Sequence, residues 1–408
     1  MQLSNALKYW RVFFKCIGKL PVRHLVYMAK LLRNENPHHH NGRTYVNSFF
    51  PPYPSKAFDK LLETVFNGWR VPFSTYFAVT DQCPYKCPHC SYGKHVKGSL
   101  DTAKALDVIE QIKSIGTITI GFTGGEPLMR KDIVTLVESV GDDTASVMFS
   151  AGYNLTSELA KKLASAGLDC MTIGIESDDA DTHDHVRGVP GSFEIAKNAI
   201  KLSLYAGLYT AISTVASRDT IRDGTLNRLA ELAESLGVHE FRILEPIPTG
   251  SLSQQSEQIL TADESRQVAE FHKQSNRRSK GPAIASFANL ESDEAFGCGA
   301  GFYHLFVDAL GNVCPCDLTP LKLGNALEEP LYDIWTRMSR WFDMPRCGCL
   351  MKELCSKSDA LHKGAELPVC QDTSEQLCEQ FKRKEELPVV FANLFRHRKP
   401  SDRPLNRQ

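Results

Sequence analysis

Three cysteines, Cys83, Cys87 and Cys90, stand close together just after a β-strand-like run from Ser74 to Thr80. That spacing brings three thiolates into one short loop, where they can ligate three corners of a 4Fe–4S cluster. The fourth iron then has no protein ligand. An iron with an open position can bind a substrate, whereas a cluster closed by four cysteines only passes electrons. A zinc knuckle is the competing reading. Zinc needs a fourth ligand, however, and His89 is too close to Cys90 to close a tetrahedron.

The next strand-like run ends in Thr123-Gly124-Gly125-Glu126-Pro127. Adjacent glycines let backbone approach a ligand closely, and the Glu126 carboxylate is an acceptor for an ammonium group. With this motif one strand after the cysteine loop, the chain resembles the radical S-adenosylmethionine (SAM) enzymes. The resemblance implies that the open iron chelates the amino and carboxylate groups of SAM. An electron from the cluster then cleaves SAM to a 5′-deoxyadenosyl radical.

Carried over residue by residue, Gly124, Gly125, Glu126 and Pro127 would bind the SAM amino group. His89 would stand where the family has an aromatic residue beside the adenosyl group. Ser150, in Ser150-Ala151-Gly152, would substitute for the family's Thr-Asn-Gly near the ribose and methionine, without its asparagine. Arg187 matches an arginine near the SAM carboxylate, and Ser177 is a further SAM contact; helix capping and a surface ion pair are the plainer roles for these two. Leu244-Glu245-Pro246 would offer backbone to the adenine. His183 and His185 read as surface residues.

A second set of cysteines comprises Cys298, Cys314, Cys316, Cys347, Cys349, Cys355, Cys370 and Cys378. Soft thiolates at this density suit iron–sulfur clusters. Cys298, Gly311 and Cys316 fit the opening C-x(12)-G-x(4)-C of the SPASM extension of radical SAM enzymes, and a tryptophan-bearing helix near Leu331 resembles it too. The resemblance implies one or two auxiliary clusters. One would use Cys298 and Cys316, completed by Cys314 or Asp359; the other would use Cys347, Cys349, Cys355 and Cys370. Two departures bear on that number. Cys347-Gly348-Cys349 is one residue shorter than the family's C-x-x-C, and Asp359 replaces an expected cysteine. Asp317 follows Cys316 directly, where anaerobic sulfatase-maturating enzymes have a general base. It would take a proton once hydrogen abstraction leaves a substrate radical; the alternative is a turn cap. Cys16 and Cys170 are expected to be buried apolar residues, and Cys378 to be spare.

The elements that must position these groups alternate regularly. Strands are expected at 74–80, 117–123, 145–150, 170–176, 208–216 and 238–244. Helices fall between them, at 101–115, 131–140, 157–166, 193–206 and 223–236. Gly116, Gly141, Gly167, Gly207 and Gly237 sit at or just past the helix ends, where a left-handed residue stops a helix. This alternation implies parallel strands with crossover helices. The expected fold is α/β: a partial (β/α)6 TIM-like barrel with a C-terminal SPASM-like iron–sulfur extension and an N-terminal amphipathic helical segment. The divisions are 1–72, 73–285, 286–380 and a basic tail, 381–408. Ligand sites of such barrels lie at the C-terminal ends of the strands, where the motifs above fall.

Net charge of −1 and the lack of aromatics interleaved with basic residues give no nucleic-acid signature. Thirteen cysteines without an export signal point to a reducing, cytoplasmic setting. From Met1 to Asn34 there are seven Lys/Arg and no acid, alternating with bulky apolar residues around Pro21. That pattern suits a helix at the inner face of a membrane as well as one docked on the barrel. His38-His39-His40 reads as a polar loop, and Pro51, Pro52 and Pro54 as an extended linker.

The expected activity is that of a radical SAM oxidoreductase or transferase abstracting hydrogen from a peptide or protein side chain. The alternatives are a lipid or lipid-linked small molecule at the membrane surface, and an iron–sulfur electron carrier without SAM chemistry. Glu126 speaks against the carrier, which needs no ammonium acceptor. The electron donor would be a low-potential protein such as flavodoxin or ferredoxin. Anaerobically reconstituted protein is expected to hold about 8 or about 12 irons per chain, at four per cubane. A content of about 4 would refute the auxiliary clusters.

Overall fold

In a computed structural model the described residues are 10–253, 255–355, 366–380, 386–395 and 399–404. The strands in chain order are β1 (His38–His40), β2 (Arg43–Tyr45), β3 (Trp69–Arg70), β4 (Ser74–Thr80), β5 (Thr119–Gly124), β6 (Ala145–Ser150), β7 (Cys170–Gly174), β8 (Tyr209–Val215), β9 (Glu240–Leu244), β10 (Ala283–Ser286), β11 (His304–Val307), β12 (Asn312–Cys314), β13 (Gly324–Asn325) and β14 (Ser401–Asp402). Ten of them form one sheet in the order β10-β9-β8-β7-β6-β5-β4-β11-β12-β13. Every pairing from β10 to β11 is parallel, and β12 and β13 add on antiparallel. The two edge strands are not paired with each other, so the barrel is open.

The six expected strands are all present, and two further parallel strands flank them. Ala283-Ile284-Ala285-Ser286 was not legible as a strand because two of its four residues are alanines, which carry little β preference. The strand His304–Val307 comes from the C-terminal segment and pairs with β4, the strand that carries the cysteine loop.

Alternate strand residues face outward into the main core. Phe77, Ile120, Phe122, Ile173, Ile212, Phe241 and Ile243 pack there against helices such as Thr102–Ser114, whose Ala105, Val108, Ile109 and Ile112 lie on one face. The intervening residues turn inward, and they include Tyr76, Phe149, Tyr209 and Arg242. The five helix-ending glycines all have positive φ, from 72° to 95°.

The stretch before the barrel is neither polar loop nor linker. His38–His40 is strand β1 of a hairpin with β2, and Pro51 and Pro52 are buried. This stretch lies across the N-terminal ends of the strands, opposite the cysteine loop. Arg43 Nη1 reaches Asp169 Oδ1 at 2.6 Å, just before β7. The Ser48 N–H and hydroxyl donate to Glu240 at 2.7 and 2.6 Å. Tyr45 stacks on Tyr209 at 4.1 Å, and His40 stands edge-on to His239 at 4.5 Å. Further back, Glu35 Oε1 meets His272 Nε2 at 3.1 Å, both buried. The tail docks as well. In helix Val389–Phe395, Val390, Phe391 and Phe395 are buried with Phe302 and Met344, and helix Val22–Leu32 packs on them through Tyr27, Met28 and Leu31.

Because Tyr45 is buried face to face with Tyr209, Tyr45→Ala is expected to lower unfolding free energy by about 3 kcal/mol. Tyr45→Phe should lose less than ~1 kcal/mol by the same reasoning. Urea unfolding reads this as a midpoint shift at constant slope. An unmoved midpoint for the alanine variant would mean that the segment merely lies against the barrel.

Candidate active site

The cysteine loop leaves β4 at Thr80 and is zipped at once to the segment that leaves β5. The Gly125 N–H donates to Thr80 O and the Glu126 N–H to Gln82 O, both at 2.7 Å. A Cβ on Gly124 would lie 2.4 Å from Thr80 O, and one on Gly125 would lie 2.2 Å from Gln82 O. The paired glycines are therefore required by backbone against backbone, before any ligand is considered.

The rest of the loop is held from two other sides. Lys86 N–H donates to Arg187 O at 3.0 Å, and Cys90 O accepts from Ser251 N–H at 2.9 Å in the loop after β9. All thirteen cysteines are free thiols. Cys83 is exposed, and Cys87 and Cys90 are half-buried. Burial pushes the Cys87 and Cys90 thiols up, and the Arg187 guanidinium draws both back. Three soft donors on one loop, with a cation beside them and no disulfide, suit a cubane with one free corner.

Around this loop stand two buried carboxylates that are stabilised differently. Glu126 Oε1 accepts from Leu128 N–H at 3.1 Å and the Ser150 hydroxyl at 2.7 Å, while Oε2 accepts from Ala151 N–H at 2.7 Å. Burial still raises its pKa. Three of about four lone-pair positions are filled, which leaves room for one more donor. Ser150 thus holds Glu126, and its oxygen also accepts from Gly152 N–H at 2.8 Å.

Glu176, on the segment after β7, meets Arg187 Nη2 at 2.8 Å and His89 Nε2 at 3.4 Å. Burial works against its charge, but His89 and Arg187 outweigh it and hold the carboxyl well below its usual range. Arg187 Nη1 also donates to Cys87 Sγ at 3.6 Å, and a Cβ on Gly174 would lie 1.9 Å from its Nη2. Its Nε has no partner among the described residues. The Ser177 hydroxyl accepts from Asp179 N–H at 3.1 Å, a turn role. Pro127 begins a buried 3₁₀ turn capped by Glu126. Glu245 Oε2 is taken by Lys352 Nζ at 2.9 Å.

His183 is a correction. It is buried rather than at the surface: Glu176 N–H donates to its Nδ1 at 3.1 Å, it stands edge-on to Phe193 at 5.5 Å, and burial lowers its pKa to about 4. The polar helix Ala180–Arg187 gave no apolar stripe to betray this. His185 is exposed as expected.

The second cysteine set divides. Cys298, Cys316 and Cys349 lie near one another: each thiol is raised first by burial, and Cys298 raises the other two further. Cys347 lies two residues from Cys349, at the start of the turn into helix Leu350–Cys355. Cys355, at the end of that helix, reaches Pro248 O at 3.0 Å. Cys370 is exposed and bonds Thr373 at 3.2 Å. Cys314 packs with Ala78, Tyr92, Phe306 and Ala309, against Cys90 rather than Cys316. Asp359 lies outside the described residues. Cys16, Cys170 and Cys378 are buried.

Two residues here gave no signal in the sequence. His304 Nε2 lies 2.9 Å from Asp317 Oδ1, and its Nδ1 lies 2.7 Å from Ser74 Oγ. Ligand atoms of His304, Cys316 and Asp317 are all within 4.8 Å of one another. Burial works against Asp317 ionising, but His304 prevails and keeps its pKa lowered. Glu291 is the opposite case: burial, Asp317 and Glu245 push its carboxyl up to about 8.

The model of the radical SAM superfamily matches residues 77–236, and that of an iron–sulfur cluster-binding domain, SPASM, matches residues 298–357. The mycofactocin maturase MftC of Mycobacterium ulcerans is 30% identical over 296 residues, covering 68% of this chain and 78% of that protein. The chain belongs to the radical SAM superfamily. An AdoMet-dependent heme synthase of Oleidesulfovibrio alaskensis is 28% identical over 340 residues, 75% of this chain and 87% of that one. The fold is shared with Streptococcus suis SuiB bound to its precursor peptide SuiA, at a TM-score of 0.56 and 16% identity over 68% of this chain and 67% of that one. This radical SAM protein is an enzyme, and its cofactors are a 4Fe–4S cluster, SAM and auxiliary iron–sulfur clusters.

Gly125→Ala should displace the cysteine loop and lower 5′-deoxyadenosine release at least ~100-fold, equivalent to about 3 kcal/mol. Release within twofold of the parent would show that the close approach of Gly125 to Gln82 is dispensable.

Proposed function

We propose that this enzyme abstracts hydrogen from a side-chain carbon of a peptide or protein and that Asp317 takes the proton the substrate radical then gives up. The observation that carries the proton step is the Ser74–His304–Asp317 chain ending beside Cys316. When bound, the cofactors supply the 5′-deoxyadenosyl radical that removes the hydrogen atom, and a one-electron sink. Cys83, Cys87 and Cys90 would hold the SAM-binding cluster. Cys298, Cys316 and Cys349 would hold an auxiliary one, with Cys347, Cys355 and Cys370 as its further candidate ligands or those of a second.

Asp317 is suited to its part because it is ionised at neutral pH and can accept at once. With the imidazole proton on Nε2, His304 donates to Asp317 while the Ser74 hydroxyl donates to Nδ1, which fixes the carboxylate's orientation. Glu126 and Arg187 would orient the amino and carboxylate ends of SAM. His89, Gly124, Gly125, Pro127, Ser150 and Ser177 would complete the SAM site around them. A flavodoxin- or ferredoxin-like protein would deliver the electron.

The peptide reading draws support from the maturase MftC and from SuiB with its precursor peptide. A haem precursor is a second reading, favoured by the likeness to AdoMet-dependent heme synthases. The test supplies reduced enzyme and SAM with short peptides encoded by neighbouring open reading frames, and separately with an iron porphyrin. A mass change in a peptide alone supports the first reading; a change in the porphyrin alone overturns it. With the modified substrate, Asp317→Asn should keep 5′-deoxyadenosine formation within about threefold but cut product at least ~100-fold. Product formation equal to the parent's in that variant would remove Asp317 as the base.

A further inference from the structure

Six large apolar side chains among the described residues are strongly exposed, and four of them crowd into thirteen residues near the N-terminus. Phe14 is 65%, Ile17 61%, Val22 75% and Val26 65% exposed; the other two, Tyr205 and Leu327, lie elsewhere in the chain. Helix Trp10–Cys16 carries Phe14, helix Val22–Leu32 carries Val22 and Val26, and the turn between them carries Ile17. Scattered exposed apolar residues are ordinary, but a contiguous group marks an interaction surface.

The same two helices have already met their packing needs on the other side. Cys16 and His24 are buried, and His24 Nδ1 lies 3.3 Å from Val390 O. Arg23 Nε donates to Asn393 O at 2.9 Å. Tyr27, Met28 and Leu31 fill the cluster around Phe391. Docking on the barrel therefore accounts for the inner face, and Ile17, Val22 and Val26 stay largely exposed away from it.

The charge that the two helices themselves bring to the outer face is of one sign. Lys15, Lys19, Lys30 and Arg33 are exposed beside it, and the whole stretch to Asn34 contains no acid. Asp59, from the neighbouring helix Lys56–Asn67, pairs with Lys15 at 3.0 Å; Lys19 and Lys30 lie over the rings of Phe66 and Tyr27. Aromatic and aliphatic tips ringed by ammonium and guanidinium groups match the acyl–headgroup boundary of an anionic bilayer. No described helix is long and apolar enough to cross a membrane.

We propose that the Phe14–Val26 surface seats the enzyme on an anionic phospholipid bilayer, lying on it and not spanning it. This stands apart from the substrate reading, since none of its residues belongs to the active site.

The test is cosedimentation of the full chain with phosphatidylcholine vesicles, with and without about 30% phosphatidylglycerol. The parent should pellet with the anionic vesicles and release as salt rises from ~0.05 to ~0.5 M, where the Debye length shrinks severalfold. An Ile17→Ser/Val22→Ser/Val26→Ser variant should bind at least ~10-fold more weakly, with iron content, unfolding midpoint and 5′-deoxyadenosine release unchanged. A Lys19→Gln/Lys30→Gln/Arg33→Gln variant, which keeps every apolar contact, should lose most of its preference for the anionic vesicles. The proposal is overturned if the parent stays in the supernatant, or if both variants pellet like the parent. It is equally overturned if the parent is a dimer that the serine variant makes monomeric.

Discussion

The cysteine loop cannot hold its own shape, and much of the molecule is arranged to hold it. Within the loop itself the Cys90 N–H donates to Cys87 O at 3.2 Å and the Gly93 N–H to Cys90 O at 3.3 Å. The remaining constraints come from β5 through Gly125 and Glu126, from the helix after β7 through the Arg187 carbonyl, and from the loop after β9 through Ser251. A fourth contact, Val96 N–H to Leu367 O at 2.9 Å, comes from the segment before helix Gln371–Gln380. Three thiols presented to one cubane need ångström-level placement, and a short loop supplies too few internal bonds to give it. The parallel sheet solves this by delivering several strand ends to the same side at fixed spacing.

Burial at that site has an electrostatic cost that the fold meets in two ways. Glu126 is surrounded by neutral donors and keeps a raised pKa, whereas Glu176 is held by His89 and the Arg187 guanidinium and keeps a lowered one. Arg187 serves both Glu176 and Cys87, so one guanidinium links the carboxylate network to a thiol of the cysteine loop. The thiols of Cys87, Cys90, Cys298 and Cys349 are all raised by burial and so are protonated in the metal-free protein. Cluster binding through these thiols would release those protons, and its free energy would become folding free energy for both cysteine regions.

How much of this the sequence disclosed follows from sequence separation. Cys83, Cys87, Cys90 and the Gly-Gly-Glu-Pro segment are local patterns, and strand–helix alternation with glycine stops is local too. All of these were legible. The Ser74–His304 contact spans 230 residues, Glu35–His272 spans 237 and Ser48–Glu240 spans 192. No spacing rule reaches that far, so His304 and Glu291 went unnoticed and the hairpin beneath the barrel read as loop and linker. His183 misled for another reason: a histidine among Asp, Thr and Arg looks solvated, and only the packing of its helix against the segment after β7 and Phe193 makes it buried. The cysteines of the C-terminal set were legible as a group but not as a partition. Cys314 is the last residue of β12 and packs with Ala78 near Cys90, whereas Cys316 lies past the strand end, in a turn beside His304. Two residues on the same side of a strand would share a neighbourhood, and the end of β12 between these two is what separates them.

That turn has a mechanistic consequence for the proposed reaction. β12 pairs with β11, and β11 pairs with β4, so His304 on β11 stands directly opposite Ser74 at the start of β4. The turn after β12 then places Asp317 against His304 and Cys316 beside both. A substrate radical losing a proton and an electron would find the acceptors for each on two consecutive residues. Their backbones are joined by one peptide bond, and His304 Nε2 at 2.9 Å holds the Asp317 carboxylate. The cluster-binding segment is built into the barrel sheet through β11, not appended to it, and the sheet thereby fixes how far this pair stands from the cysteine loop at the other end of β4.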